Sequence, residues 1–107
     1  MENPSFETMV HDEVTFAKVE PGDSFAIDEL MKVDAIIIEY CDRYSVLELI
    51  NKIRSHEDEA IYLMPIFLYK FYREFYEDIA RFADGTVNNL SDLSEIAEIT
   101  MRIKERL

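Results

Sequence analysis

The chain has 107 residues, enough for one domain around a single core and too few for two. With 49% hydrophobic and 32% charged residues, it has the composition of a folded domain rather than a disordered one. Its 23 acidic residues outnumber 11 scattered basic ones, and the net charge of −12 argues against a nucleic-acid or anionic-membrane partner, which clustered cations would serve.

In chain order, Asn3-Pro4 has the residues of a helix start, and Phe6, Met9 and Val10 follow at helical spacing, which predicts a first helix over 4–12. Val14 to Val19 alternates and is rich in β-branched residues, the pattern of a strand. After the turn Pro21-Gly22-Asp23, a short helix is expected over 24–31, with Phe25, Ile27, Leu30 and Met31 available for burial. The continuous apolar run Ala35 to Ile38 predicts a strand buried on both faces, as in a parallel sheet covered by helices. Ser45 with Glu48 three places on is a capping box, and Val46, Leu49, Ile50 and Ile53 form the apolar stripe of the helix behind it.

Residues 55–60 read as a polar loop and Ile61 to Tyr69 as a second apolar strand, with Pro65 near its start because proline has no ladder donor. Residues 71–82, with Phe71, Tyr72, Phe75, Tyr76 and Phe82, predict an aromatic helix. Thr86-Val87 is a short last strand. Asp92 with Glu95 opens a C-terminal helix carrying Leu93, Ile96, Ile99 and Ile103. Strands alternating with helices give the expected fold class: α/β, a three-layer α/β/α arrangement with a mostly parallel sheet and four recognisable strands.

Laid end to end, residues 3–107 resemble a response-regulator receiver domain. Asp34-Ala-Ile-Ile-Ile-Glu39 resembles the third strand of that family, Val46–Arg54 its third helix, Met64-Pro-Ile-Phe-Leu-Tyr69 its fourth strand, and Ala83–Leu90 the segment of its fifth strand. The resemblance implies a flavodoxin-like signalling domain that receives a phosphoryl group at an aspartate, assisted by magnesium on an acidic pair, a hydroxyl residue and a lysine. At the matching positions this chain has Glu39 for the acceptor, Tyr69 for the hydroxyl and Asn89 for the lysine, with Leu90 at the following proline place. The extra methylene of Glu39 displaces its carboxylate by about 1.5 Å. The resemblance therefore implies a degenerate pocket and a pseudo-receiver rather than a phosphotransfer protein.

That alignment leaves no residues for the family's first strand, which lies centrally between strands two and three. Three outcomes follow: strands two and three pair directly, another copy donates a strand, or the chain is a truncated product. A rival register makes Val14–Val19 the first strand and Glu20 a member of the acidic pair, at the expense of two elements before Asp34.

Other constellations are weak. Glu2, Glu39 and Asp42 are candidates for a small metal site, but a polar loop with a solvated glutamate is the favoured reading; His11 and His56 have no partner at ligand spacing. Cys41 is the only cysteine, so no internal disulfide forms, in keeping with a cytoplasmic protein. With Gly22 and Gly85 the only glycines there is no phosphate loop, and no catalytic, metal or cofactor signature is found. No apolar run reaches the roughly 18 residues of a membrane helix, and the N-terminus has no signal-peptide pattern.

The aromatic helix supplies the candidate interaction face. Five aromatics in twelve residues exceed one buried stripe, so Tyr72, Phe75 and Tyr76, with Ile99 and Ile103 of the last helix, form the expected contact surface for a homodimer, a protein partner or an output domain. The expected function is non-catalytic regulation. A phospho-acceptor using Asp42 or Asp34, or a small-molecule binder at the carboxyl ends of the strands, are the alternatives.

Overall fold

The computed structural model describes residues 6–21, 27–39, 42–69, 82–91 and 93–106. Five strands form one sheet in the order of the sequence: β1 (Glu7–His11), β2 (Val14–Val19), β3 (Ala35–Glu39), β4 (Ile66–Tyr69) and β5 (Gly85–Val87). β1 runs antiparallel to β2; β2 to β5 are parallel neighbours. A 3-10 helix (Ile27–Lys32) precedes β3, α1 (Arg43–Arg54) and the single turn α2 (Glu59–Tyr62) lie between β3 and β4, and α3 (Ser94–Arg106) follows β5. The fold is α/β with a mostly parallel sheet.

The first helix expected over 4–12 is a strand across residues 7–11, so the sheet has five strands rather than four. The cause lies in the next two residues. Asp12 and Glu13 both have positive φ, 49° and 69°, the geometry of a two-residue type I′ hairpin turn. That turn returns the chain so that Met9 stands opposite Phe16 and His11 opposite Val14. Phe6, Met9 and Val10 have helical spacing, but Val10 is 69% exposed and only Phe6 is buried.

The alternation of each strand divides the core. Ala17 and Val19 of β2, Ile36 and Ile38 of β3, and Ile66 and Leu68 of β4 pack with Val46, Leu49, Ile50 and Ile53 of α1. Phe16, Ala35, Ile37, Phe67 and Val87 pack with Leu93, Ile96 and Ala97 at the start of α3. β3 is buried throughout from Ala35 to Ile38, as its unbroken apolar run requires. The one buried hydroxyl of α3, on Thr100, donates to the carbonyl of Ile96 at 2.7 Å and so leaves no unmet polar group.

Three boundaries differ from expectation. α1 starts before Ser45: Asp42 is its N-cap, and the Asp42 carboxylate accepts the Ser45 amide at 2.8 Å. Glu48, assigned to the capping box, instead pairs with Lys52 one turn on. Ile61 and Tyr62 belong to α2, capped by Asp58, and the strand begins only at Ile66, directly after Pro65. The C-terminal helix is present from Ser94; Asp92 and the aromatic segment 71–81 lie outside the described residues.

One device recurs at the amino ends of the strands. Asp34, just before β3, donates its amide to the Thr15 carbonyl at 2.8 Å and accepts the Thr15 amide on its carboxylate at 2.8 Å. Asp84, just before β5, does the same with Ile66, at 2.7 and 2.8 Å. Between them, Ile36 donates to the carbonyl of Pro65, which has no amide to return. Each aspartate also meets a helix: Lys104 of α3 pairs with Asp34, and Arg54 of α1 approaches Asp84 at 3.4 Å. Two carboxylates thus tie the sheet to two helices that pack in different core clusters.

Candidate functional site at the carboxyl ends of the strands

With the amino ends fastened, the carboxyl ends present the side chains in which the sequence suggested a site. The registers bring them together. Val19 pairs with Ile38, so Glu20 and Glu39 are the next residues out on adjacent strands; Glu39 pairs with Tyr69, and Tyr69 with Val87. Asn89 follows two residues after Val87, at the same end. Glu39, Tyr69 and Asn89 therefore lie at one end of the sheet.

The surroundings of each side chain restrict what it does. Tyr69 packs against the cluster that contains Phe67, Val87 and the start of α3, and the registered Glu39 shares its face of the sheet. Glu39 is half-buried and held by its neighbours rather than free. The Asn89 side-chain oxygen accepts from the Ser91 amide at 3.0 Å and from the Ser91 hydroxyl at 2.9 Å, a local turn that occupies it. Asp42 is committed to the α1 cap. Among the described residues, no three His, Cys, Asp or Glu side chains are grouped to hold a metal ion. Glu2 and Cys41 lie outside them.

The two histidines serve local contacts. His11 Nε2 lies 3.1 Å from Asp12. His56 Nδ1 accepts the Asp58 amide at 3.0 Å, which leaves Nε2 to face Asp28 at 2.9 Å and links the 3-10 helix to the loop before α2. Of the expected interaction face, Ile99 packs partly buried against the α3-side cluster and Ile103 is half-buried, whereas Tyr72, Phe75 and Tyr76 lie outside the described residues.

Among the described residues, two groups with displaced proton affinity lie at the other end of the sheet, where sequence reading names only Asp34, as an alternative acceptor. Burial raises the proton affinity of Asp34, but the Lys104 hydrogen bond, the Thr15 amide and the Lys104 charge outweigh it and hold the carboxyl below its ordinary value. Burial lowers the Arg54 guanidinium from its ordinary value, and Asp84 opposes that shift. Arg54 Nη1 donates to the carbonyls of Tyr62 at 2.8 Å and Met64 at 2.7 Å, which closes the turn leading into β4. A cleft of about 240 Å3 lies beside Asp34, with Met31, Lys32, Leu63 and Lys104 in its wall. A sequence signal existed for the two aspartates, each directly before a strand, but nothing local revealed their partners.

Comparison with protein-family models, with curated proteins and with solved structures finds no match. No helix among the described residues is long and apolar enough to cross a membrane.

Proposed function

We propose that the chain is a non-catalytic regulatory module, a receiver-like domain of three-layer α/β/α build that acts through protein contacts in the cytoplasm rather than by phosphotransfer. The observation that carries this reading is the registered pair Glu39–Tyr69 at the carboxyl end of the sheet. A phosphoryl group attached there would need a shorter acid, a small hydroxyl and a cation. The positions instead hold a longer acid beside a large phenol packed into the apolar cluster, with Asn89 turned to Ser91.

The parallel succession β2-β3-β4-β5 supports receiver-like character. Because residues 7–11 are a strand and not the family's first helix, the succession favours the rival register, with β2 as the receiver's central first strand, Glu20 after it, and β1 in place of an edge strand. Direct pairing of strands two and three gives the same contacts under the first register. Neither aspartate named for alternative phosphorylation suits it: Asp42 caps α1, and Asp34 is clamped by Thr15 and Lys104 at the amino end.

The test is incubation with acetyl phosphate and magnesium, read by intact mass. The expected mass is unchanged. A stable adduct of one phosphoryl group, lost on Glu39→Gln or Asp42→Asn, would overturn the reading.

A further inference from the structure

The hairpin at residues 7–19 leaves an edge with few of the usual defences, Glu7 being its one acidic residue. Among the described residues β1 pairs only with β2, and its register is continuous through five residue pairs, with no bulge. It contains no proline or lysine, which commonly blunt such edges, and it exposes the β-branched Val10 at 69%. The opposite edge, β5, is three residues long.

The directions of the β1 backbone groups follow from the register. A two-residue hairpin closes on a hydrogen-bonded pair, here His11 and Val14, and bonded pairs then alternate, so Met9 and Glu7 also bond to β2. Thr15 confirms the alternation, since it gives both its amide and its carbonyl to Asp34 on the far side and has none for Val10. The amides and carbonyls of Thr8 and Val10 therefore point away from the sheet.

We infer that this edge pairs with the same edge of a second copy, across a two-fold axis at Met9, to make one continuous sheet. An antiparallel pairing centred there sets Thr8 against Val10 of the other copy in both directions and forms about four ladder bonds. It uses the whole strand. It also sets Glu7 against His11 of the other copy, a carboxylate acceptor opposite an imidazole that carries a donor. The strand is thus complementary to itself, which is what a two-fold interface requires and what a foreign strand would not need. The pairing specifies the partner in the interaction-module reading and rests on that reading for its purpose.

The test is sedimentation velocity on the full chain from micromolar to near-millimolar concentration, with amide exchange on the same samples. Self-association is expected, with Thr8 and Val10 amides slowing as concentration rises while Met9 and His11 amides, already bonded to β2, do not change. Two chains of −12 repel, so association tightens with added salt. Val10→Pro removes an outward amide that no intrachain bond uses, and it weakens association about tenfold or more. Val10→Asp, at an exposed site, places a poor strand former and a further like charge at the seam, weakens association likewise and decides the matter where the proline variant fails to fold. A monomeric wild type throughout this range, or a dimer unchanged in Val10→Asp, would overturn the inference. These readouts are separate from the phosphoryl mass, so either proposal can fail alone.

Discussion

Replacing Arg54 by methionine keeps an apolar stem in place and removes the guanidinium that closes the turn into β4. Two hydrogen bonds from a charged donor are lost, to the carbonyls of Tyr62 and Met64. Bonds of this type contribute about 1.5–3 kcal/mol each. The Arg54 side chain is 32% exposed, so water replaces part of what is lost and the pair is worth roughly half the upper sum, about 2–3 kcal/mol. The pairing with Asp84 at 3.4 Å, between two partly exposed groups, adds about 0.5 kcal/mol. Release of an ordered arginine offsets a fraction, of order 1 kcal/mol. The expected net loss is about 2 kcal/mol, near 8 °C in Tm for a domain of this size. Urea unfolding measures it, with an unchanged slope showing that the comparison is one of stability alone. Arg54→Lys should recover less than half, because an ammonium does not reproduce the fork. A loss below about 0.5 kcal/mol for the methionine variant would refute the assignment of Arg54 as the closure of this turn.

Three further outcomes are expected. Gly85→Ala sets a Cβ 3.1 and 3.3 Å from the fully buried Phe67 ring; it should destabilise by about 1 kcal/mol in thermal melts, with relief when Phe67→Leu is added. Glu13→Gly removes an αL penalty at φ 69° and gives back part of it as unfolded-chain entropy, so a gain of about 0.5 kcal/mol and a Tm rise of about 2–4 °C should appear by calorimetry. The Asp34 carboxyl has a lower proton affinity folded than unfolded, so its contribution is full above the unfolded carboxyl range near about 3.9 and is lost as pH falls through its folded value; urea midpoints should show that acid-side decline in the wild type and a shallower one in Asp34→Asn.

The parallel core was legible because its signals are local. The apolar run at 35–38 and the stripe Val46, Leu49, Ile50, Ile53 follow from burial on two faces or one, and both are buried as expected. Short β5 was legible too, from Thr86-Val87 after a turn. β1 was not. Its apolar residues have helical spacing, and its conformation depends on two residues, Asp12 and Glu13, that are neither glycine nor asparagine yet adopt positive φ. The α1 cap was misplaced because Asp42 and Ser45 are both good caps and only the geometry chooses. At the carboxyl ends, the order of the strands was enough to gather Glu39, Tyr69 and Asn89. The clamps of Asp34 and Asp84 depend on partners 19 and 18 residues away, with cations farther still, and such pairings leave no periodic trace.

Those clamps bear on how the chain assembles. Each carboxylate closes a strand–connection–strand segment of nearly the same span, Thr15 to Asp34 and Ile66 to Asp84. The seam between β3 and β4 has no such closure, since Pro65 offers only a carbonyl. Each closure therefore joins residues about twenty apart, a separation at which the entropic cost of a loop is modest and contacts form early. The parallel sheet, usually a slow topology, is divided here into two short-range halves that can form separately before they meet along one line.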